Sequence, residues 1–159
     1  MKIKEDIFLI YEGLTEDKFL NHLINIYENK FNVILVKANG VDKIKDKYKK
    51  KKKTFNYSRY ALMYDLDGKK TIDDIKKQYE GIDLSNTTFY FVNPNFELVL
   101  LMGKTNNPNI YNINKEIESY YGVKEYRKQE KQINKIMKQL KNEEINNIFK
   151  RLKLISRND

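Results

Sequence analysis

Four short apolar runs, each followed by a stretch with helical spacing, restrict this chain to an alternating α/β architecture. The runs are Ile7–Glu12, Asn32–Lys37, Arg59–Asp65 and Thr87–Val92. Ile7 to Tyr11 shows no helical period, as expected of a buried strand. After it, Thr15 can cap a helix with Glu16 and Asp17 in its first turn, where acids suit the dipole. Phe19, Leu20, Leu23, Ile24, Ile26 and Tyr27 then fall on one helical face. Asn39-Gly40 is a turn signal, and the lysine-rich stretch 41–53 reads as a helix with a solvated end. A polar helix is expected over 71–79, closed by Gly81, and a short buried one over 96–102. Strands separated by helices imply a parallel sheet with right-handed crossovers. The expected fold is therefore α/β: a Rossmann-like, mostly parallel four-stranded sheet flanked by helices, over residues 1–107. Residues 108–159 carry no strand signal and predict a helical extension packed on the sheet. Its helices are expected at 113–121 (stopped by Gly122), 123–140 and 143–155. Their apolar positions are Ile133, Ile136, Met137 and Leu140, then Ile145, Ile148, Phe149 and Leu152.

Composition removes several kinds of chemistry. There is no cysteine, so disulfides, thiolate metal sites and cysteine nucleophiles are excluded. The single histidine, His22, rules out a multi-histidine metal site. Its place inside the first amphipathic helix predicts a surface or boundary position. The five apolar residues Ile7 to Tyr11 are too few for a signal-peptide core. No apolar run approaches the roughly 20 residues of a membrane span. A soluble, cytoplasmic protein with no membrane partner is expected.

Acidic residues stand where three of the four strands end. Tyr11 runs into Glu12-Gly13, with Thr15-Glu16 close behind. Tyr64 runs into Asp65-Leu66-Asp67-Gly68, and Val92 into Asn93-Pro94-Asn95-Phe96-Glu97. In open α/β sheets, ligands bind at the carboxyl ends of strands. Each element also has an ordinary explanation. Glu16 and Glu97 would complement helix dipoles, and Glu12 would be a solvated strand-end residue. Asp65 and Asp67 would be polar turn residues whose mutual repulsion is merely tolerated. Asp-x-Asp-Gly does not begin an EF-hand loop, because Lys69 falls where a third oxygen ligand belongs and the glycine comes too early. Recurrence at three of the four strand ends favours a site, and an all-oxygen donor set favours a hard cation.

These motifs resemble those of Toprim-domain proteins, in particular the RloB-like and OLD-type Toprim nucleases of bacterial and phage genomes. Glu12-Gly13 and Asp65-Leu66-Asp67 match the glutamate-glycine and Asp-x-Asp of Toprim sequences. Glu12-Gly13-Leu14-Thr15-Glu16 is one residue shorter than the RloB-like Glu-Gly-x-x-Thr-Glu. Asn93-Pro94-Asn95-Phe96-Glu97-Leu98 matches the late Asn-Pro-x-Phe-Glu-Leu block, with Val92 in place of its leading serine. The resemblance covers roughly residues 5 to 104. It implies a Toprim-like sheet and Mg²⁺ or Mn²⁺ bound by Glu12, Asp65 and Asp67, with Glu16 and Glu97 completing a second site. It further implies phosphodiester hydrolysis in DNA or RNA, in phage or mobile-element conflict or defence. Glu12 can alternatively serve as general acid or base. The family block usually ends in a histidine, whereas this chain has Gly103-Lys104; Lys104 is then expected to contact phosphate, together with Lys69 and Lys70.

The charge balance suits a polyanion. Lysine and arginine number 31 against 22 acids, a net charge of +9. Only Arg59, Arg127, Arg151 and Arg157 are arginines. Abundant Lys, Asn, Ile and Tyr are also what AT-rich coding produces without selection for binding. The run Lys49, Lys50, Lys51, Lys52 and Lys53, with Phe55, Tyr57 and Tyr60 nearby, is expected either to track a nucleic-acid backbone and stack bases or to be a solvated loop. Three functional classes follow. One is a Mg²⁺-dependent nuclease. Another is a non-catalytic Toprim-fold component that binds nucleic acid, a protein partner or a second copy of the chain. The third, nucleotidyl transfer, lacks any nucleotide-binding loop here.

Overall fold

In-register parallel pairing organises the first part of the molecule, seen here in a computed structural model that describes residues 5–26, 32–67, 70–93, 95–127 and 129–156, with side chains up to Arg151. Tyr27, Gly68, Lys69 and Pro94 lie outside the described residues, as does the side chain of Leu152. The chain divides into two compact units, Met1–Asn93 and Pro94–Asp159. The residues 96–102 expected beside the sheet therefore belong to the second unit.

The first unit contains β1 (Asp6–Tyr11), α1 (Leu14–Ile26), β2 (Asn32–Lys37), α2 (Ile44–Thr54), β3 (Arg59–Asp65), α3 (Ile72–Lys77) and β4 (Thr87–Val92). The four strands form one all-parallel sheet in the order β2-β1-β3-β4, the Rossmann-like arrangement expected. Ile10 pairs with Val36 on one side and Leu62 on the other, and Leu62 with Phe89. Alternation then places Phe8, Ile10, Tyr60, Leu62 and Tyr64 on a single face, where they are buried with Ile44 and Tyr48 of α2 and with Ile75 and Tyr79. This core is aromatic. Phe8 stacks on Tyr60 with centroids 5.3 Å apart, and Tyr48 meets Tyr60 edge-on at 5.2 Å. On the opposite face Ile7, Leu9, Ala61 and Met63 are only half-buried.

Local chemistry sets the helix boundaries. A 3-10 turn, Val41–Lys43, precedes α2 where a continuous helix was expected. Thr71 caps α3 in a capping box with Asp74. Thr15 lies inside α1 and is buried; the Asp17 amide bonds the Gly13 carbonyl, and the helix begins at Leu14, two residues before the start that a Thr15 cap gives. In α1, Phe19 and Leu20 are buried while Leu23, Ile24 and His22 are half-buried, the boundary position expected for the histidine.

The second unit is helical: α4 (Glu97–Leu101), α5 (Ile113–Tyr121), α6 (Glu130–Met137) and α7 (Asn142–Ser156). Leu100, Leu101, Ile117, Ile133, Ile136, Ile145 and Ile148 form its interior. The helix expected over 123–140 starts only at Glu130. Gly122 closes α5 in a left-handed conformation (φ 62°), and Val123 and Tyr126 turn inward to be buried. Burial of these two side chains holds 123–127 out of helical register. No helix among the described residues is long and apolar enough to cross a membrane.

The tyrosine core gives a direct test. The hydroxyls of Tyr64 and Tyr79, both 2% exposed, bond each other. Tyr64→Phe or Tyr79→Phe alone strands a buried hydroxyl and should destabilise by about 1–3 kcal/mol. The double variant should cost less than the sum of the two. Urea unfolding of all four chains gives the coupling; additive losses would show that the two hydroxyls do not depend on each other.

Candidate metal centre

Strand order fixes where a ligand would sit. From β1 the chain steps outward to β2, then returns across β1 to β3 and continues to β4. The order reverses between β1 and β3, and the carboxyl ends at such a reversal are where open α/β sheets bind ligands. Glu12 follows β1 directly, Asp65 is the last residue of β3, and Asp67 lies in the turn after it. Each of the three offers a carboxylate oxygen, and these oxygens all lie within 4.8 Å of one another. Opposite ligands of octahedral Mg²⁺ are about 4.2 Å apart, so the three can reach one ion with small side-chain adjustments. Three carboxylates are the donor set of a hard divalent cation.

The backbone around the cluster is pinned. The Asn39 and Gly40 amides donate to the Glu12 carbonyl at 2.8 and 3.2 Å, and the Ala38 amide to that of Tyr11 at 2.8 Å. This tight return requires positive φ at Asn39 (61°) and Gly40 (145°), the conformation anticipated by Asn-Gly. The Leu66 amide donates to the Val92 carbonyl at 2.9 Å, extending the β3–β4 pairing one step into the Asp65–Asp67 turn. Asp67 also has positive φ (50°), which aspartate tolerates better than most residues. Burial is graded: Asp65 is 7% exposed, Glu12 half-buried and Asp67 exposed, giving the cluster one open side.

Glu16 is buried, and a Cβ added at Gly13 would lie 3.7 Å from its Oε2, so its carboxylate folds back over the residue after Glu12. It is outside the group of three. Tyr11 donates to the Asp17 carboxylate. Burial, then the bond to Asp17 and the charges of Asp17 and Glu16, push the Tyr11 hydroxyl far above its ordinary range, so it remains a neutral donor.

The other residues singled out in the sequence are spread over both units. Glu97 belongs to the second unit. It is 1% exposed at the start of α4 and accepts a 3.2 Å bond from the Tyr126 hydroxyl. Phe96 and Leu98 to Met102 are buried as expected. Tyr126, which no motif announced, lies in the stretch read from sequence as helix. Lys104, also in the second unit, reaches Glu144 Oε1 at 3.4 Å and lies over the Tyr121 ring at 5.5 Å. Burial pushes the Glu144 carboxyl up, but backbone hydrogen bonds and Lys104 more than offset it, and its pKa falls below the ordinary value. Gly103 stands where the resembled block has histidine, and there is little room for a side chain. A Cβ would lie 3.2 Å from the Leu100 carbonyl oxygen and the Tyr121 hydroxyl, and 3.3 Å from Glu144 Cβ. Lys70 pairs with Asp42 at 3.5 Å in the first unit; Lys69 is outside the described residues.

Of the lysine run, Lys52 turns inward. It donates to the Ser85 carbonyl at 2.6 Å, the Tyr48 hydroxyl at 3.1 Å and Ser85 Oγ at 3.3 Å. Lys51 lies over the Phe8 ring at 5.8 Å, while Lys49, Lys50 and Lys53 are exposed.

No protein-family model, curated protein or solved structure matches this chain.

Divalent-ion binding can be read without assuming an activity. At about 100 times its dissociation constant, Mg²⁺ or Mn²⁺ should stabilise the protein by about 2.7 kcal/mol. Asp65→Asn should abolish that gain. Without metal it should leave stability equal or higher, because repulsion among the carboxylates is relieved. Thermal unfolding with and without metal measures both; a parent chain indifferent to metal would remove the site.

Proposed function

We propose that this protein is a divalent-metal-dependent nuclease of the Toprim kind, hydrolysing phosphodiester bonds in DNA or RNA. The observation that carries this reading is the convergence of Glu12, Asp65 and Asp67 at the switch point of a parallel sheet. The resemblance of the Glu-Gly, Asp-x-Asp and Asn-Pro-x-Phe-Glu-Leu motifs supports it, as does the net charge of +9. Mg²⁺ or Mn²⁺ held by the three carboxylates would supply Lewis-acid stabilisation of phosphoryl charge and acidify water.

The protein residues divide the work. Asp65, the most buried of the three, fixes the inner side of the cation position. Glu12 is held by the pinned backbone of the β2 return, and Asp67 borders solvent, where a phosphodiester would approach. Half-buried Glu12 is also the residue placed to accept or return a proton. The chain has no histidine in this region, so no imidazole base is part of the scheme.

A second reading has its own observation. The tight surroundings of Gly103 and the pairing of Lys104 with Glu144 remove two groups that the resemblance would use on phosphate. They favour a Toprim-fold component that binds metal and nucleic acid without cutting. Labelled single- and double-stranded DNA and RNA, incubated with Mg²⁺, Mn²⁺ or chelator, separate the two. The nuclease reading expects metal-dependent cleavage that Asp65→Asn lowers roughly 100-fold or more, the scale seen when a preorganised electrostatic group is lost. Metal binding with no cleavage of any substrate would select the second reading. Gly103→His should overpack the second unit and destabilise it by about 1–3 kcal/mol without raising cleavage. Gain of activity in that variant would show that the missing histidine alone limits the chemistry.

A further inference from the structure

The segment between β2 and β3 runs the full length of the sheet. It begins at Asn39 and Gly40, whose amides hold the Glu12 carbonyl. It ends at Phe55, whose carbonyl accepts from the Tyr60 hydroxyl, beside the start of β3. Its inner face is buried through Ile44, Tyr48 and Lys52. Helical spacing then puts Lys43, Lys47, Lys50 and Lys53 on the outer face, with Asp46 among them and exposed Asp42, paired with Lys70, beside Lys43. Lys43, Lys50 and Lys53 are exposed and Lys47 half-buried; none of the four is in an ion pair among the described residues. At the far end stand Tyr57, 90% exposed, and Phe55, 42% exposed, one side of whose ring packs against Phe8 at 5.1 Å. Beside them is a recess of about 390 Å³ lined by Tyr48, Lys49, Lys53, Asn56 and Asp83 among others.

We infer that this ridge is a track for single-stranded nucleic acid, leading from the aromatic turn at Phe55–Tyr57 to the carboxylate cluster. The inference rests on the nuclease reading for what happens at the cluster, and on the ridge itself for binding. Regularly spaced cations with no internal partner match a phosphate backbone. The exposed rings discriminate between strands: a single strand can lay a base on each, whereas a duplex keeps its bases stacked inside. The recess beside them offers an amide and a carboxylate to the edge of an unpaired base. The 3-10 turn and α2 together span roughly 20 Å. A stacked strand has one phosphate per about 3.4 Å, so the track holds about six nucleotides.

The test separates binding from cleavage. Anisotropy of fluorescein-labelled oligothymidylates and oligouridylates, 3 to 20 nucleotides long, is measured in chelator across a salt series. Affinity should climb to about six nucleotides and then flatten. The triple variant Lys47→Gln, Lys50→Gln, Lys53→Gln should reduce the salt slope by about 2, at roughly 0.7 per phosphate contact, and weaken binding roughly 100-fold at 0.1 M salt. Tyr57→Ala should weaken it roughly 5- to 100-fold and leave the slope unchanged. A control with the same charge change, Lys131→Gln, Lys135→Gln, Lys138→Gln at exposed positions of α6 and its C-cap, should bind like the parent. Three results would each overturn the track: equal losses in both triple variants, a duplex competing as well as a single strand, or anionic vesicles or polyglutamate competing as well as an oligonucleotide. Metal-dependent cleavage that survives the ridge variants would discard the track and keep the nuclease. Ridge-dependent binding in a protein that metal does not stabilise would keep the track and discard the nuclease.

Discussion

Strand β1 is hydrogen-bonded along both sides, to β2 and to β3, and almost every functional statement about the first unit depends on that position. Because β1 lies between its partners, the chain must leave it in one direction and return past it in the other. That reversal opens the sheet's carboxyl edge between β1 and β3. The same pairing sets the core. Register aligns Phe8 with Tyr60 and Ile10 with Leu62, so one shift of pairing would turn the aromatic face away from α2 and α3. Core and candidate site are thus two outcomes of one register.

The fold was legible where sequence patterns are local. Three strands, Asn32–Lys37, Arg59–Asp65 and Thr87–Val92, begin and end where their apolar runs do. The Asn39-Gly40 signal correctly marked a turn with positive φ at both residues. What local pattern missed was governed by distant partners. Helical spacing over 123–140 was disrupted at its start by the burial of Val123 and Tyr126, the latter bonded to Glu97 far away in sequence. Lys52 looked like one of five equivalent lysines until Ser85 and Tyr48 drew it inside.

The site was legible for a reason only partly right. The sequence places Asp65 and Asp67 together at the end of one apolar strand. In fact β3 ends at Asp65, and the left-handed turn at Asp67 places its carboxylate near the others. That Glu12 would meet them required knowing that β1 neighbours β3, which no spacing in the sequence states. Glu97 illustrates the opposite limit. Its place at the start of a short buried helix was anticipated, while its own burial and its tyrosine partner, 29 residues on, were not.

The place of β1 in the sheet also sets an order of assembly. Its residues pair with β2 across a separation of 26 positions, Asp6 with Asn32, and with β3 across 52, Ile7 with Arg59. Loop-closure entropy grows slowly with such separations, but the contacts that reward it come late. One edge of β1 therefore has no partner until Arg59–Asp65 is available, and Glu12 cannot meet Asp65 and Asp67 before β1 and β3 pair, so the charged cluster exists only in a chain that has closed its longest-range parallel contact to β1.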